Sequence, residues 1–505
     1  MNLTRGLSGY REEIAVFLLT LLSRLGMAAF WPTSSPDWHH SYAVVAENLY
    51  FNDCVSLSDP ASARCEPHWG GNQLPGFPWL VAQGWRLLHL LGGEVAFGKS
   101  RQVVGITTEP ILILQSLVLA AAFAYLVLAL KKWSLPPVVV LTAGLLLTFS
   151  PMTLAWARYP LTESLDLAVL GWLLAEIVRS LQQQRLRLAP LLVCLTAALY
   201  LRTDNAVLIV PVALAAWTIH PFRIGLKRLL LLGLLLSLPV GGWWWRSAVH
   251  HDLGLIPCSG VWNCVPGKAS DLPPYPADYI RWGMSWTTDA YQYPSWYYPL
   301  TTRKYSELRY PEEALADDGE REEVRDLMQR LAAHDGQPFP GEEAAGFRRL
   351  VEEKNRRYPL TQWLILPARR MLHMWFTPYF SAGWPNATLS LSSFQLDSQQ
   401  ILSLARDHFE AVGMKAGLFL YRVGMVILLL AFAFRASDPR VRTLARLTLA
   451  WVAAKALFHG YVVFEPRYSV PHFCWMEPVI VLGLFGLKPA WFPGGFRPQP
   501  IGRRM

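Results

Sequence analysis

The chain has 505 residues, 52% of them hydrophobic and only 16% charged, with a positive mean hydropathy of +0.23. A soluble chain carries roughly a quarter charged residues, so an ordinary cytosolic globule is excluded. The net charge of +9 sits in short segments between long apolar runs, which is a topology signal and excludes a nucleic-acid binder.

In chain order, Arg5 and Arg11 precede an apolar stretch from Ile14 to Trp31. Arg24 interrupts that stretch and no small-residue cleavage site follows, so it reads as a retained anchor and not as a cleaved signal peptide. Residues 32–109 are mixed polar and aromatic and form a large first loop. Apolar spans follow at 110–130, 136–152, 161–178, 188–202, 204–219 and 229–246. A second large segment, 247–415, precedes spans at 416–434, 443–463 and 470–487. A helix needs about 20 apolar residues to cross a bilayer, where the backbone has to satisfy its own hydrogen bonds. The expected fold class is therefore all-α integral membrane, with about ten transmembrane helices and two large extracytoplasmic segments.

The basic clusters set the expected sidedness. They are Lys131 with Lys132, Arg179 with Arg185 and Arg187, Arg223 with Lys227 and Arg228, and Arg435 with Arg440 and Arg442. Alternate crossing from an internal amino terminus puts every one of them inside and both large segments outside. The 22 Trp and 19 Tyr suit interfacial belts. Two further apolar stretches, 78–91 and 360–376, are short or basic and read as re-entrant or interfacial helices on the outside. The chain thus divides into an N-terminal core (1–246), an extracytoplasmic segment (247–415) and C-terminal helices with a tail (416–505). Within the middle segment, about residues 300–358 are dense in charge of both signs, with Leu327 and Leu331 at helical spacing, which predicts a solvated helical excursion. No internal repeat is visible. The compact loops fit a bacterial inner membrane.

Cys54 and Cys65 lie in the first loop, and Cys258 and Cys264 open the second large segment. Two close pairs outside predict two local disulfides, Cys54–Cys65 and Cys258–Cys264. Cys194 and Cys474 fall in or beside spans and read as packing residues.

The chemistry-bearing residues gather near the expected outer surface. Asp37, His39, His40, Tyr42 and Glu47 follow the first span, where a carboxylate beside imidazoles suits a general base toward a hydroxyl. The same residues also fit ordinary loop polarity. Adjacent histidines point apart and lack ligand spacing, so no metal site is expected. Arg202, Arg246 and Arg467 stand at outer ends of spans, where positive charge is scarce and a planar guanidinium suits phosphate oxygens. The structural alternative is a local salt bridge, Arg202 with Asp204 or Arg467 with Glu465. Glu163, following Pro160, would favour a helix N-terminus electrostatically, and Arg24 would pair with another helix.

Several stretches resemble the GT-C glycosyltransferases, polytopic enzymes that use polyprenyl- or dolichyl-phosphate sugars, including the aminoarabinose and mannosyl transferases. The run PDWHHSYAVVAENLYFNDCVSLS, followed by NQLPGFPWLVA, is similar to their first external loop. Asp37, Tyr42, Ala46, Asn48 with Leu49, and Pro75-Gly76-Phe77-Pro78 stand at its recurring positions. SPMTLAWARYPLTES places Glu163 in a Thr-Glu element, LYLRTDN carries Arg202, and FEPRYSVPHF carries Glu465, Arg467 and Tyr468. Two positions depart from the pattern. Gln73 stands where the family has an Arg, and Asp37 lies five residues before Tyr42 where four is usual.

The resemblance implies inverting transfer of one sugar from a polyprenyl-phosphate donor to an acceptor hydroxyl on the extracytoplasmic side. The acceptor would be a glycolipid, a polysaccharide or a protein. Asp37 would be the base, with His39 or Glu47 able to share that role. Arg202, Arg246 and Arg467 would hold the departing phosphate, and His40, Tyr42, Gln73, Glu163, Glu465 and Tyr468 would line the pocket. Trp69, Trp243 and Trp244 would stack on sugar. The reaction needs no metal and no further cofactor. The competing expectation is a non-enzymatic transporter or flippase for a lipid-linked saccharide, a class that commonly shows internal repeats and broken helices.

Overall fold

The computed structural model describes residues 8–31, 42–55, 76–92, 109–133, 135–251, 277–289, 292–301, 303–377, 380, 382–384, 406, 408–461 and 465–486. Among these residues the regular structure is helical, with no strand. Helix α1 (Arg11–Phe30) is followed by the shorter α2 (Ala43–Asn52) and α3 (Gly76–Leu90). Next come α4 (Glu109–Lys131), α5 (Pro137–Thr148), α6 (Thr162–Gln183), α7 (Leu188–Leu201), α8 (Ile209–Ile219) and α9 (Phe222–His251). A separate group, α10 (Ala277–Met284), α11 (Asp318–Ala332) and α12 (Gly341–Arg357), precedes α13 (Leu366–Phe376). The last described helices are α14 (Phe409–Arg435), α15 (Pro439–Tyr461) and α16 (Phe473–Gly486).

Four of these helices, α1, α4, α9 and α14, are long and apolar enough to cross a membrane, which makes this a membrane protein. Of the roughly ten crossings expected from hydropathy, the others do not qualify on those two properties alone. Helix α5, helix α7 and the stretch Thr203–Ile219 are apolar but shorter. Helices α6 and α15 have the length but carry charge: Glu163, Asp166, Glu176 and Arg179 in the first, and Arg440, Arg442, Arg446 and Lys455 in the second. The reason is tertiary. Helix α6 is buried on nearly all sides against α4, α7 and α16, so its polar residues meet protein.

The bundle has two chemically distinct ends. At one, Lys131 of α4 pairs with Glu12 of α1 at 2.6 Å, and Arg187 pairs with Glu176 at 2.5 Å. Arg440 donates to the Trp133 carbonyl at 3.2 Å, which places the start of α15 there too. At the other end of α6, about 20 Å of helix from Glu176, stands Glu163.

Arg24 is fully buried on α1, and its guanidinium reaches the loop after α5, donating to Thr153 Oγ1 at 3.0 Å and to the Thr153 carbonyl. The expected interhelical partner is thus largely backbone freed at a helix end. Cys194 and Cys474 are free and buried, and Cys54 is disulfide-bonded. Cys65, Cys258 and Cys264 lie outside the described residues.

A second apolar core stands apart from the bundle core. It starts with Tyr279 and Trp282 on α10, earlier than the excursion expected from residue 300, because the charged helices need an aromatic floor that the charge density does not reveal. Leu327 and Leu331 are both buried in it, beside Phe347 of α12. Each such side chain contributes roughly 1.5–3 kcal/mol through apolar surface removed from water. The stretches 78–91 and 360–376 are largely helical, in α3 and in a π-helical turn (Thr361–Ile365) leading into α13.

Candidate functional site

The end of the bundle that holds Glu163 also holds a buried ionic cluster. Helix α7 stops at Leu201, and Arg202 takes extended backbone into a 3-10 turn, Thr203–Leu208, that carries Asp204 and Asn205. The Arg202 guanidinium grips Asp204 as a fork, Nε to Oδ1 at 3.1 Å and a terminal nitrogen to Oδ2 at 3.2 Å. Two more carboxylates face it from the first turns of α6: Glu163 at 3.8 Å and Asp166 at 4.0 Å.

Helix α15 supplies the other basic groups. Lys455 Nζ lies 3.2 Å from Asp204 Oδ2 and 3.2 Å from Asn205 Oδ1. His459, one turn further, places Nε2 at 2.9 Å from the same Asp204 oxygen. The Asn205 amide donates to Asp166 Oδ1 at 2.6 Å and to the Ala198 carbonyl at 3.0 Å. Asp166 Oδ2 is buried and accepts no hydrogen bond among the described residues. Lys455 and Asp166 are fully buried, a setting in which each charge depends on its neighbours for solvation.

The turn before α16 forms the edge of the cluster. The Tyr468 ring stacks on His459, with centroids 4.5 Å apart, and Arg202 packs 5.0 Å from the Tyr468 centroid. Arg467 lies 5.6 Å from that centroid and pairs with Glu465 at 2.6 Å. Its side chain is 29% exposed against 14% for Arg202, so Arg467 is the more accessible arginine. Three cations (Arg202, Lys455, Arg467) meet four carboxylates (Glu163, Asp166, Asp204, Glu465), an excess of one negative charge before His459 takes a proton.

The first loop reaches the same end through its glycine. A Cβ on Gly76 would stand 2.5 Å from the Tyr200 carbonyl oxygen, two residues before Arg202. Only glycine lets the start of α3 come so close to the end of α7. Just before α2, Tyr42 sits edge-on to Phe77 at 5.3 Å, and within the helix Glu47 is buried.

Glu163, Arg202, Glu465, Arg467 and Tyr468 are therefore neighbours, although more than 300 residues separate the first from the last (468 − 163 = 305). Arg202 is engaged by carboxylates, as the salt-bridge alternative has it, and so is Arg467. Asp37, His39, His40, Gln73 and Trp69 lie outside the described residues, as do the side chains of Arg246 and Trp244. Sequence reasoning missed Asp166, Asn205, Lys455 and His459 as members. A signal existed: a lysine and a histidine four residues apart share one helix face, and such charge inside an apolar helix is costly unless paired. Neither a protein-family model nor a curated protein matches this chain.

Proposed function

We propose that the protein is a membrane glycosyltransferase of the GT-C type, working on the extracytoplasmic side. The observation that carries this reading is convergence. Three sequence elements that resemble the family's, around Glu163, Arg202 and Glu465–Tyr468, meet at one end of the bundle, and Gly76 of a fourth touches the end of α7. That end lies opposite the basic end, which the charge rule assigns to the cytoplasm. On this reading about ten helical segments cross the bilayer, the charged or short ones shielded by their neighbours.

In the proposed reaction the acceptor hydroxyl oxygen bonds to the anomeric carbon and its proton passes to a carboxylate, Asp37 in the first instance. The bond from that carbon to the phosphate oxygen breaks, and polyprenyl phosphate departs. Arg467 is the better placed phosphate ligand, being partly exposed at the rim of the cluster. Arg202, held by Asp204, positions Tyr468 and the turn that carries Arg467. The donor phosphate displaces part of the Glu465 contact in exchange for a stronger charge-assisted fork.

Purified protein incubated with a panel of radiolabelled polyprenyl-phosphate sugars tests the reading. Transfer is expected with at least one donor, and Asp37→Asn is expected to lower turnover by about 10²–10⁴ while donor binding persists. Arg467→Ala is expected to weaken donor binding and turnover together. Absence of transfer with every donor, or full activity in both variants, would count decisively against it.

A further inference from the structure

A cleft of about 410 Å³ lies where α10 and α12 meet the π-helical turn, α13 and the end of α15. Its walls are fixed by hydrogen bonds that cross between these elements. Gln362 donates to the Ser285 carbonyl at 3.1 Å, and Tyr461 donates to the Trp363 carbonyl at 2.6 Å. Arg370 donates to the carbonyls of Thr287 at 2.9 Å and Gly460 at 3.2 Å. A Cβ on Gly460 would meet the Pro367 carbonyl at 2.9 Å, so α13 and α15 touch backbone to backbone there. The cleft is preformed.

Its two sides differ in chemistry. From the π-helical turn and α13, Trp363, Leu366 and Pro367 give an apolar wall, and along that turn Leu360, Trp363 and Leu364 are 62%, 60% and 60% exposed. Three adjacent large apolar side chains left uncovered in a membrane protein suit contact with lipid tails. From α10 and α12, Arg281 and Arg348 share one carboxylate, Asp278: Arg348 through two nitrogens at 3.0 and 2.7 Å, Arg281 through one at 3.4 Å. Each guanidinium has five N–H donors, so most remain available. Counting every charged lining residue, Arg281, Arg348 and Arg370 stand against Asp278 and Glu352, one positive charge in excess.

We propose that this cleft binds an anionic membrane phospholipid, with its phosphate on Arg281 and Arg348 and its acyl chains along Trp363, Leu360 and Leu364. Charge complementarity beside exposed apolar side chains selects this occupant over a free anion, which would leave the apolar wall unused. The lipid ties the α10–α12 unit to the bilayer surface. The site is separate from the ionic cluster, and its test does not depend on glycosyl transfer.

The test is native mass spectrometry of the full-length protein in neutral detergent, with dioleoyl phosphatidylglycerol or dioleoyl phosphatidylcholine added at equal concentration. Phosphatidylglycerol adducts are expected to exceed phosphatidylcholine adducts, whose choline offsets the phosphate charge, and Arg281→Gln is expected to reduce the former several-fold and so to narrow that excess. Arg281 is more than half exposed and makes one long contact, so its replacement keeps the fold. Trp363→Ser, a second variant, is expected to lower retention of both lipids. Equal retention of the two lipids, or phosphatidylglycerol adducts unchanged in Arg281→Gln, overturns the proposal. Competition by inorganic phosphate at the same concentration as the lipid overturns it in favour of a simple anion site. Displacement of the lipid by a neutral oligosaccharide overturns it in favour of a saccharide cleft.

Discussion

Asp204 carries three basic partners at once: Arg202, Lys455 and His459. Asp204→Asn keeps the side-chain shape but removes the charge that solvates the buried Lys455 and the partly buried Arg202. Breaking a buried ion network in this way costs about 3–5 kcal/mol, so a large fall in the unfolding midpoint in detergent is expected. Arg467→Ala stands in contrast. Its pair with Glu465 is 29% exposed on both sides, and such pairs are worth roughly 0–1 kcal/mol. The variant is expected to unfold within a degree or two of wild type, yet to lose donor binding. Equal unfolding midpoints for the two variants would contradict the division into a buried anchor and an accessible ligand.

At the scale of elements, the junction of α3 with α7 depends on one missing methyl group. Gly76→Ala places a Cβ against a backbone carbonyl that has no rotamer to escape into. Overpacking of this kind costs about 1–3 kcal/mol, and the displaced helix also moves the first loop relative to Arg202. The expected result is a lower unfolding midpoint together with a larger loss of transfer activity than stability alone accounts for. In the α10–α12 unit, Asp317 caps α11 by accepting from the Glu320 amide at 2.8 Å, and it pairs with Arg357 at 2.8 Å. The amide hydrogen bond first, and the Arg357 guanidinium after it, hold the Asp317 carboxyl below the ordinary carboxylate value of 3.8. A depressed folded-state value means stabilisation present above 3.8 and lost as pH falls through the folded value. Asp317→Asn keeps a capping oxygen and removes the titration, so the acid limb of the unfolding curve is expected to flatten. Hydrogen exchange of the first α11 amides, followed from pH 6 downward, reads this directly.

For the whole molecule, the decisive question is which end of the bundle faces the cytoplasm. Lys131, Arg187 and Arg440 share one end, and the ionic cluster occupies the other. By the charge rule, cysteines introduced at positions 132, 225 and 438 are expected to react with an impermeant maleimide only after permeabilisation. A cysteine at position 320, in the α10–α12 unit, is expected to react in intact cells. Labelling of 225 or 438 in intact cells would put the cluster on the cytoplasmic face and remove the proposed reaction from its setting.

The helices themselves were legible in the chain because their causes are local. Long apolar runs such as Ile111 to Leu130 have one way to satisfy their backbone in a bilayer, and Leu327 with Leu331 at helical spacing mark the charged excursion as helical. Glu163, Arg202, Glu465, Arg467 and Tyr468 were likewise visible as unusual charge and aromatic residues at the ends of apolar segments. Their proximity was not. Lys455 and Asp204 are 251 residues apart (455 − 204), and nothing in either neighbourhood states that one neutralises the other. The sequence reads 161–178 and 443–463 as spans but does not show what shelters the charges of α6 and α15, because burial of a charged face depends on which helices cover it. Local hydropathy and hydrogen-bonding capacity determine the elements of this protein. The pairing of its buried charges is a property of packing, since electrostatic compensation inside a low-dielectric core acts between whichever groups the fold brings within a few ångströms.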